Sequence, residues 1–139
     1  MSEQSIQGAC LCGTVRFEIT GDILGFQYCH CTRCRRFTGS AHAANLFVRP
    51  EQLSWLSGEG EIGTWVLHGE PNFHTAWCKQ CGCSLPNMST TGKFWVCPAG
   101  TLDDDPGERP KRSIYWDSRA PWYEEVSELP KHAEMPPRN

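Results

Sequence analysis

Seven of the nine cysteines in this 139-residue chain fall into three groups with the spacing of ligand units. Cys10 and Cys12 lie in ACLCGT, Cys29, Cys31 and Cys34 in YCHCTRC, and Cys78 and Cys81 in WCKQCGC. On a strand, residues i and i+2 project from one face, so C-x-C aims two sulfurs together. C-x-x-C closes on a metal through a tight turn, which a following glycine eases, and Gly13 and Gly82 follow Cys12 and Cys81.

The ligand arithmetic separates two sites. Cys10, Cys12, Cys78 and Cys81 complete a tetrahedral four-sulfur set, which structural zinc prefers. Cys29, Cys31 and Cys34 supply three, and a three-ligand zinc keeps a position for water or substrate. The sequence therefore predicts two Zn2+ sites, one structural and one catalytic. Iron–sulfur ligation is the lesser alternative, because thiolates hold such clusters too. Buried inert thiols would explain scattered cysteines but not this spacing. Cys83 is read as a free thiol near the C-x-x-C turn, with the alternative that it closes the open site as a fourth ligand. Cys97, in FWVC, is read as core.

With 13 Lys and Arg against 16 Asp and Glu, the formal charge of −3 gives no reason to expect nucleic acid as a partner. The start MSEQSIQGAC lacks a basic and apolar signal pattern, and no apolar run approaches a membrane span. A cytoplasmic location follows as the expectation, and there a high, odd cysteine count argues for metal over disulfides.

Short β-like runs dominate. TVRFEIT (14–20) alternates Val15, Phe17 and Ile19 against Arg16 and Glu18, as a half-buried strand does. LGFQYCHC, HAANLFV, TWVLHG, NFHTAWC, KFWVC and SIYW read as further strands, TRCRRFTG as two helical turns from Thr32 to Gly39, and Pro50 as the start of a short turn. Asp103, Asp104 and Asp105 read as a solvated loop rather than a metal site, and about 130–139 as a flexible tail. The expectation is one all-β domain spanning 1–139.

The blocks GACLCGTVRFEI, YCHCTRCRRFTGS, ANLFV, WCKQCG, PAGTLDDDPGERP, IYW and SRAPWY resemble the glutathione-dependent formaldehyde-activating enzyme family, which includes centromere protein V-like proteins. The resemblance implies a β-tent of packed antiparallel sheets around a four-cysteine zinc. It implies structural ligands at Cys10, Cys12, Cys78 and Cys81 and catalytic zinc ligands at Cys29, Cys31 and Cys34. The implied chemistry is that of a carbon–sulfur lyase, forming or breaking S-hydroxymethylglutathione. Departures from the family pattern are Cys83 after the C-x-x-CG, Ser113 at the start of the late strand, and His132 near the end.

An open zinc would present a thiol such as glutathione as a thiolate, and Arg33, Arg35 and Arg36 surround Cys34 in sequence. Arg36, Thr38, Gly39 and Ser40 are the candidate substrate-binding loop, since arginine holds a carboxylate through two hydrogen bonds. His30, pointing away from its cysteine neighbours on a strand, is read as packed rather than ligating. His42, His68 and His74 have no recognisable triad partner, which removes a hydrolase. The competing function is a non-catalytic zinc module binding a protein or nucleic acid.

Overall fold

The computed structural model describes residues 4–124 and 129–138, so the first three residues and Asn139, the end of the expected tail, lie outside the described residues. In chain order the elements are β1 (Ser5–Ala9), β2 (Arg16–Thr20), β3 (Gly25–Cys29), α1 (Thr32–Thr38), β4 (Ala43–Val48), β5 (Leu53–Ser57), β6 (Ile62–Leu67), β7 (Phe73–Cys78), β8 (Asn87–Met88), β9 (Trp95–Pro98) and β10 (Ser113–Ile114). They form a three-stranded sheet β1-β2-β5, a five-stranded sheet β10-β3-β4-β9-β8 and the two-stranded ribbon β6-β7. Pairing is antiparallel throughout, as expected, except where the two-residue β10 runs parallel to β3.

Alternation along β2 sets the first sheet. Phe17 and Ile19 are buried, while Arg16 and Glu18 face outward and reach Gln7 of β1. The five-stranded sheet has two working faces. Leu46, Val48 and Cys97 look toward Phe17, Ile19 and Leu53, forming the main core. Each such buried side chain contributes about 1.5–3 kcal/mol. The opposite face carries Cys29 of β3 and Ala43 of β4, paired in register, and packs with Cys34 of α1. One sheet thus holds the core on one side and a cysteine group on the other.

Two strands are poorly announced in the sequence. SIQGA has little apolar pattern and becomes β1 by pairing with β2 from Ser5↔Thr20 to Ala9↔Arg16. β5 starts straight after the expected Pro50 turn, a 3₁₀ turn over Pro50–Gln52. Buried Gln52 fixes that corner: its Nε2 donates to the carbonyls of Thr20 and Asp22 at 2.8 and 2.6 Å, and its Oε1 accepts from the Arg49 N–H at 2.8 Å. Residues 129–138 have neither helix nor strand and are exposed. No helix among the described residues is long and apolar enough to cross a membrane.

Candidate metal centres and the cavities beside them

Cys10 and Cys12 lie in the loop between β1 and β2, not on a strand as the spacing suggested. The loop closes because the Cys10 N–H donates to the Val15 carbonyl at 3.0 Å and the Gly13 N–H to the Cys10 carbonyl at 3.1 Å. Cys78 ends β7, and the Gly82 N–H turns the chain back onto its carbonyl at 2.7 Å. Gly13 and Gly82 both take the left-handed conformation, with φ of 79° and 76°, as the glycine positions predicted. These two turns bring four sulfurs within 4.8 Å of one another.

The fit to a single ion can be tested on distance. Tetrahedral zinc with Zn–S of about 2.3 Å separates its sulfurs by roughly 3.8 Å. Cys10 and Cys12 are 3.6 Å apart, and Cys12 and Cys78 are 3.9 Å apart. Backbone N–H groups of Val15 and Gln80 point at the sulfurs of Cys10 and Cys78 at 3.3 and 3.4 Å, as thiolate charge requires. The Thr14 hydroxyl and then its backbone N–H hold the Cys12 thiol down to about 6, while burial pushes Cys78 up to about 11. Sulfurs this close leave no room between them for a cluster of several irons.

The second group is built differently. Cys29 ends β3, Cys31 is the N-cap of α1 and Cys34 lies in its first turn, so a strand end and a helix start converge. The Cys34 N–H donates to the Cys31 sulfur at 3.3 Å, and the three sulfurs lie within 4.8 Å of one another. Hydrogen bonding from the Cys34 thiol, then from the Cys31 backbone, lowers Cys29 to about 6. The same hydrogen bond, burial and the Cys29 charge push Cys34 upward. Four donors and three donors therefore make two separate groups that could each hold a metal ion.

Both remaining thiols stand outside these groups. Cys83 lies on the segment returning from the 78–81 turn, where its carbonyl accepts the Cys78 N–H at 2.9 Å and its sulfur is 3.3 Å from the Ser84 carbonyl oxygen. It packs beside Cys10 and Cys78, and burial with the nearby Cys81, Cys10 and Cys12 charges pushes its thiol up. It is thus next to the four-cysteine group, not the open one. Cys97 is fully buried in the main core, and burial pushes it up to about 12.

Two cavities meet at Cys34, Asn72 and Phe73. The first carries charged side chains: Arg33 and Glu70 border it with Tyr115 and all three cysteines of the open group. Arg33 donates to the Pro71 carbonyl at 2.6 Å, tying α1 to the loop before β7. The second has a volume of about 210 Å³ and is mostly apolar, bordered by Phe37, Ala43 and Val96. Sequence reading offered no signal for Glu70, Asn72, Phe73 or Tyr115, which reach the site from distant segments.

Of the proposed substrate loop, Thr38 borders the apolar cavity and donates to the Cys34 carbonyl at 2.8 Å. Arg36, Gly39 and Ser40 border a separate hollow with Arg35 and Trp122. Gly39 is the left-handed cap that ends α1, its N–H donating to Arg35. Thr32 borders both this hollow and the cavity at the three sulfurs. Arg35 donates to the Ser118 carbonyl at 3.0 Å.

Among the described residues, no histidine joins either sulfur group. His30 is fully buried among the rings of His42, Trp116 and Tyr123, at centroid distances of 5.0, 5.0 and 5.1 Å. His42 also stacks on Tyr28 at 4.2 Å. His74 lies 3.0 Å through Nδ1 from the Met88 carbonyl, and His68 and His132 belong to neither group. In the acidic loop, Asp103 accepts from Arg16 and Asp105 pairs with Arg109, whose guanidinium holds its carboxyl down to about 2. None of the three Asp joins a candidate metal group among the described residues.

The family model for glutathione-dependent formaldehyde-activating enzyme matches residues 5–118. The chain belongs to that family. The matched span contains both cysteine groups and ends just before Arg119. A crystal structure of a Rhodobacter sphaeroides protein is similar in fold, with a TM-score of 0.59 and 22% identity over 75% of this chain and 97% of that one. The formaldehyde-activating family assignment agrees with the resemblance drawn from the cysteine blocks.

Proposed function

We propose that the chain is a zinc-dependent carbon–sulfur lyase of the S-(hydroxymethyl)glutathione synthase type, with Cys10, Cys12, Cys78 and Cys81 as the structural site and Cys29, Cys31 and Cys34 as the catalytic one. The observation carrying this reading is the three-sulfur group facing a cavity bordered by Arg33 and Glu70. Zinc suits both sets, because soft thiolates in near-tetrahedral spacing select it over magnesium, calcium or manganese. When bound at the open group, zinc supplies a position at which an incoming thiol loses its proton.

The protein's own residues then orient that thiol. Glutathione carries two carboxylates. Arg33 borders the cavity at the three sulfurs, and Arg36 lies beyond Thr32 in the adjoining hollow. We assign one carboxylate to each, with Gly39 and Ser40 lining the far end. Thr38, hydrogen-bonded to the Cys34 carbonyl, holds the helix end that carries the third sulfur. The thiolate attacks the carbonyl carbon of formaldehyde, a C–S bond forms as the C=O π bond opens, and the oxygen takes a proton from water.

Exchange spectroscopy on glutathione and formaldehyde measures adduct formation against the uncatalysed background. Zinc-loaded wild type is expected to accelerate exchange and Cys31→Ser to return it to background. Acceleration that survives Cys31→Ser would remove the open group from catalysis. In calorimetry, Arg33→Ala and Arg36→Ala are each expected to weaken glutathione binding about ten-fold, the scale of one charged hydrogen bond. Equal affinities would remove the arginine concerned.

A further inference from the structure

We propose that the apolar cavity beside Cys34 seats an uncharged substituent on the aldehyde, so that the preferred carbonyl substrate is larger than formaldehyde. The proposal rests on the lyase reading above and extends it to the second reactant.

The two cavities adjoining the open group differ in character. The charged side chains lie on one side: Arg33 and Glu70 border the cavity at the sulfurs, and Arg35 and Arg36 the hollow past Thr32, which is the direction an anionic thiol takes. The apolar cavity extends the other way from Cys34. Among the described residues, no Lys, Arg, Asp or Glu borders it, and its one ring that can titrate, His74, has Nδ1 turned to the Met88 carbonyl. Its wall is the site face of the five-stranded sheet, closed by Phe37 of α1 and Phe73 of β7, whose rings meet edge to face at 6.5 Å.

Neither glutathione nor formaldehyde fills this space. A carboxylate placed there would lose its hydration without a cation to replace it. Formaldehyde bears only hydrogens on its carbon. A dry cavity of about 150 Å³ accommodates benzene, so about 210 Å³ suits a short alkyl chain or a single ring. Asn45, Asn72 and Asn87 at its margin offer neutral hydrogen bonds. In the addition, the thiolate sulfur bonds to the carbon of R–CHO, the C=O π pair moves to oxygen, and water supplies the proton. The product is the hemithioacetal R–CH(OH)–S–R′, with no oxidant or reductant involved.

The test measures adduct exchange for glutathione with hexanal, succinic semialdehyde and formaldehyde, using the zinc-loaded chain and the variants Val96→Trp and Asn45→Asp. Val96 lies on β9 facing the cavity, so Val96→Trp fills it, whereas Asn45→Asp adds a charge. Metal content per chain checks that each variant is folded. Hexanal is expected to be accelerated at least ten-fold more than succinic semialdehyde, and each variant to lower the hexanal-to-formaldehyde ratio at least ten-fold. Acceleration of formaldehyde with no preference for hexanal, or ratios unchanged in both variants, overturns the proposal and leaves the lyase reading standing. Background rates for all three aldehydes overturn the lyase reading and the aldehyde assignment together. Saturation-transfer NMR with benzyl alcohol then separates the causes: binding lost in Val96→Trp shows a cavity that takes apolar ligands without this reaction.

Discussion

The two cysteine groups use the same atom for opposite ends. The four-cysteine group joins two hairpin-like turns that are 66 residues apart in sequence, from Cys12 to Cys78, and it offers the four sulfurs that a tetrahedral ion takes. The three-cysteine group is gathered from six consecutive residues, at a strand end and a helix start, and its ring of sulfurs borders a cavity. Long-range ligation constrains the chain as a whole, whereas local ligation costs little loop entropy and leaves the fold to other contacts. The comparison teaches that a metal site's effect on stability follows from which segments it connects as much as from its ligand count.

The sharpest way to break this contrast is to remove one sulfur from each group. Cys78→Ser strips the link between the β1–β2 loop and β7, and loss of a structural zinc withdraws folding energy on the order of 10 kcal/mol. Far-ultraviolet circular dichroism is expected to show an unfolded or molten chain; a cooperative melt near the wild-type midpoint would show that the group does not hold the fold. Cys31→Ser should instead keep the fold, because serine is a good N-cap and can accept the Cys34 N–H in place of the sulfur. Zinc content is expected to fall from about two to about one per chain, one ion per cysteine group. Unfolding of this variant would erase the distinction between the groups.

A cysteine that belongs to neither group calibrates the scale. Cys97→Ala leaves a small void in the main core and is expected to cost about 1–2 kcal/mol by chemical denaturation, with zinc content unchanged. The native thiol is raised to about 12, above the value near 8.5 of an unfolded thiol, because burial opposes its charge. Its contribution is therefore complete below about pH 8.5 and is lost as pH rises toward 12. Wild type should lose stability across that window, and Cys97→Ala should lose less. Parallel pH dependence in both would place the titrating group elsewhere.

What could be read from sequence follows the range of the interactions involved. Grouping of Cys29, Cys31 and Cys34, the α1 boundary at Gly39 and the inward set Val15, Phe17 and Ile19 depend on neighbours within a few residues, and the structure has all three. The C-x-C of Cys10 and Cys12 misled in detail, because loop hydrogen bonds can aim two sulfurs as well as a strand can. Glu70, Asn72, Phe73 and Tyr115 gave no signal, since ordinary loop and strand residues become cavity walls only when tertiary packing brings them to α1. The candidate loop of Arg36, Thr38, Gly39 and Ser40 divides for the same reason: Thr38 borders the apolar cavity, whereas Arg36, Gly39 and Ser40 border the next hollow and Arg33 the cavity at the sulfurs.

Cys83 makes the finest test of the division, because its expected effect is the smallest. It lies between the roles: burial and then the charges of nearby Cys81, Cys10 and Cys12 raise its thiol, yet it is outside the set of sulfurs within 4.8 Å. Its backbone, not its sulfur, ties the 78–81 turn together, through the carbonyl that accepts the Cys78 N–H. Cys83→Ala keeps that carbonyl and removes a half-buried sulfur, so the cost should stay below about 1 kcal/mol. Zinc content should remain at its wild-type value and adduct exchange should be unchanged. Loss of the ion that Cys31→Ser removes would mean that Cys83 reaches the open group in solution, and that the free coordination position is closed by the protein itself. Loss of the other ion would make Cys83 an alternate ligand of the structural group. An unchanged count leaves four sulfurs for the fold and three for the reaction.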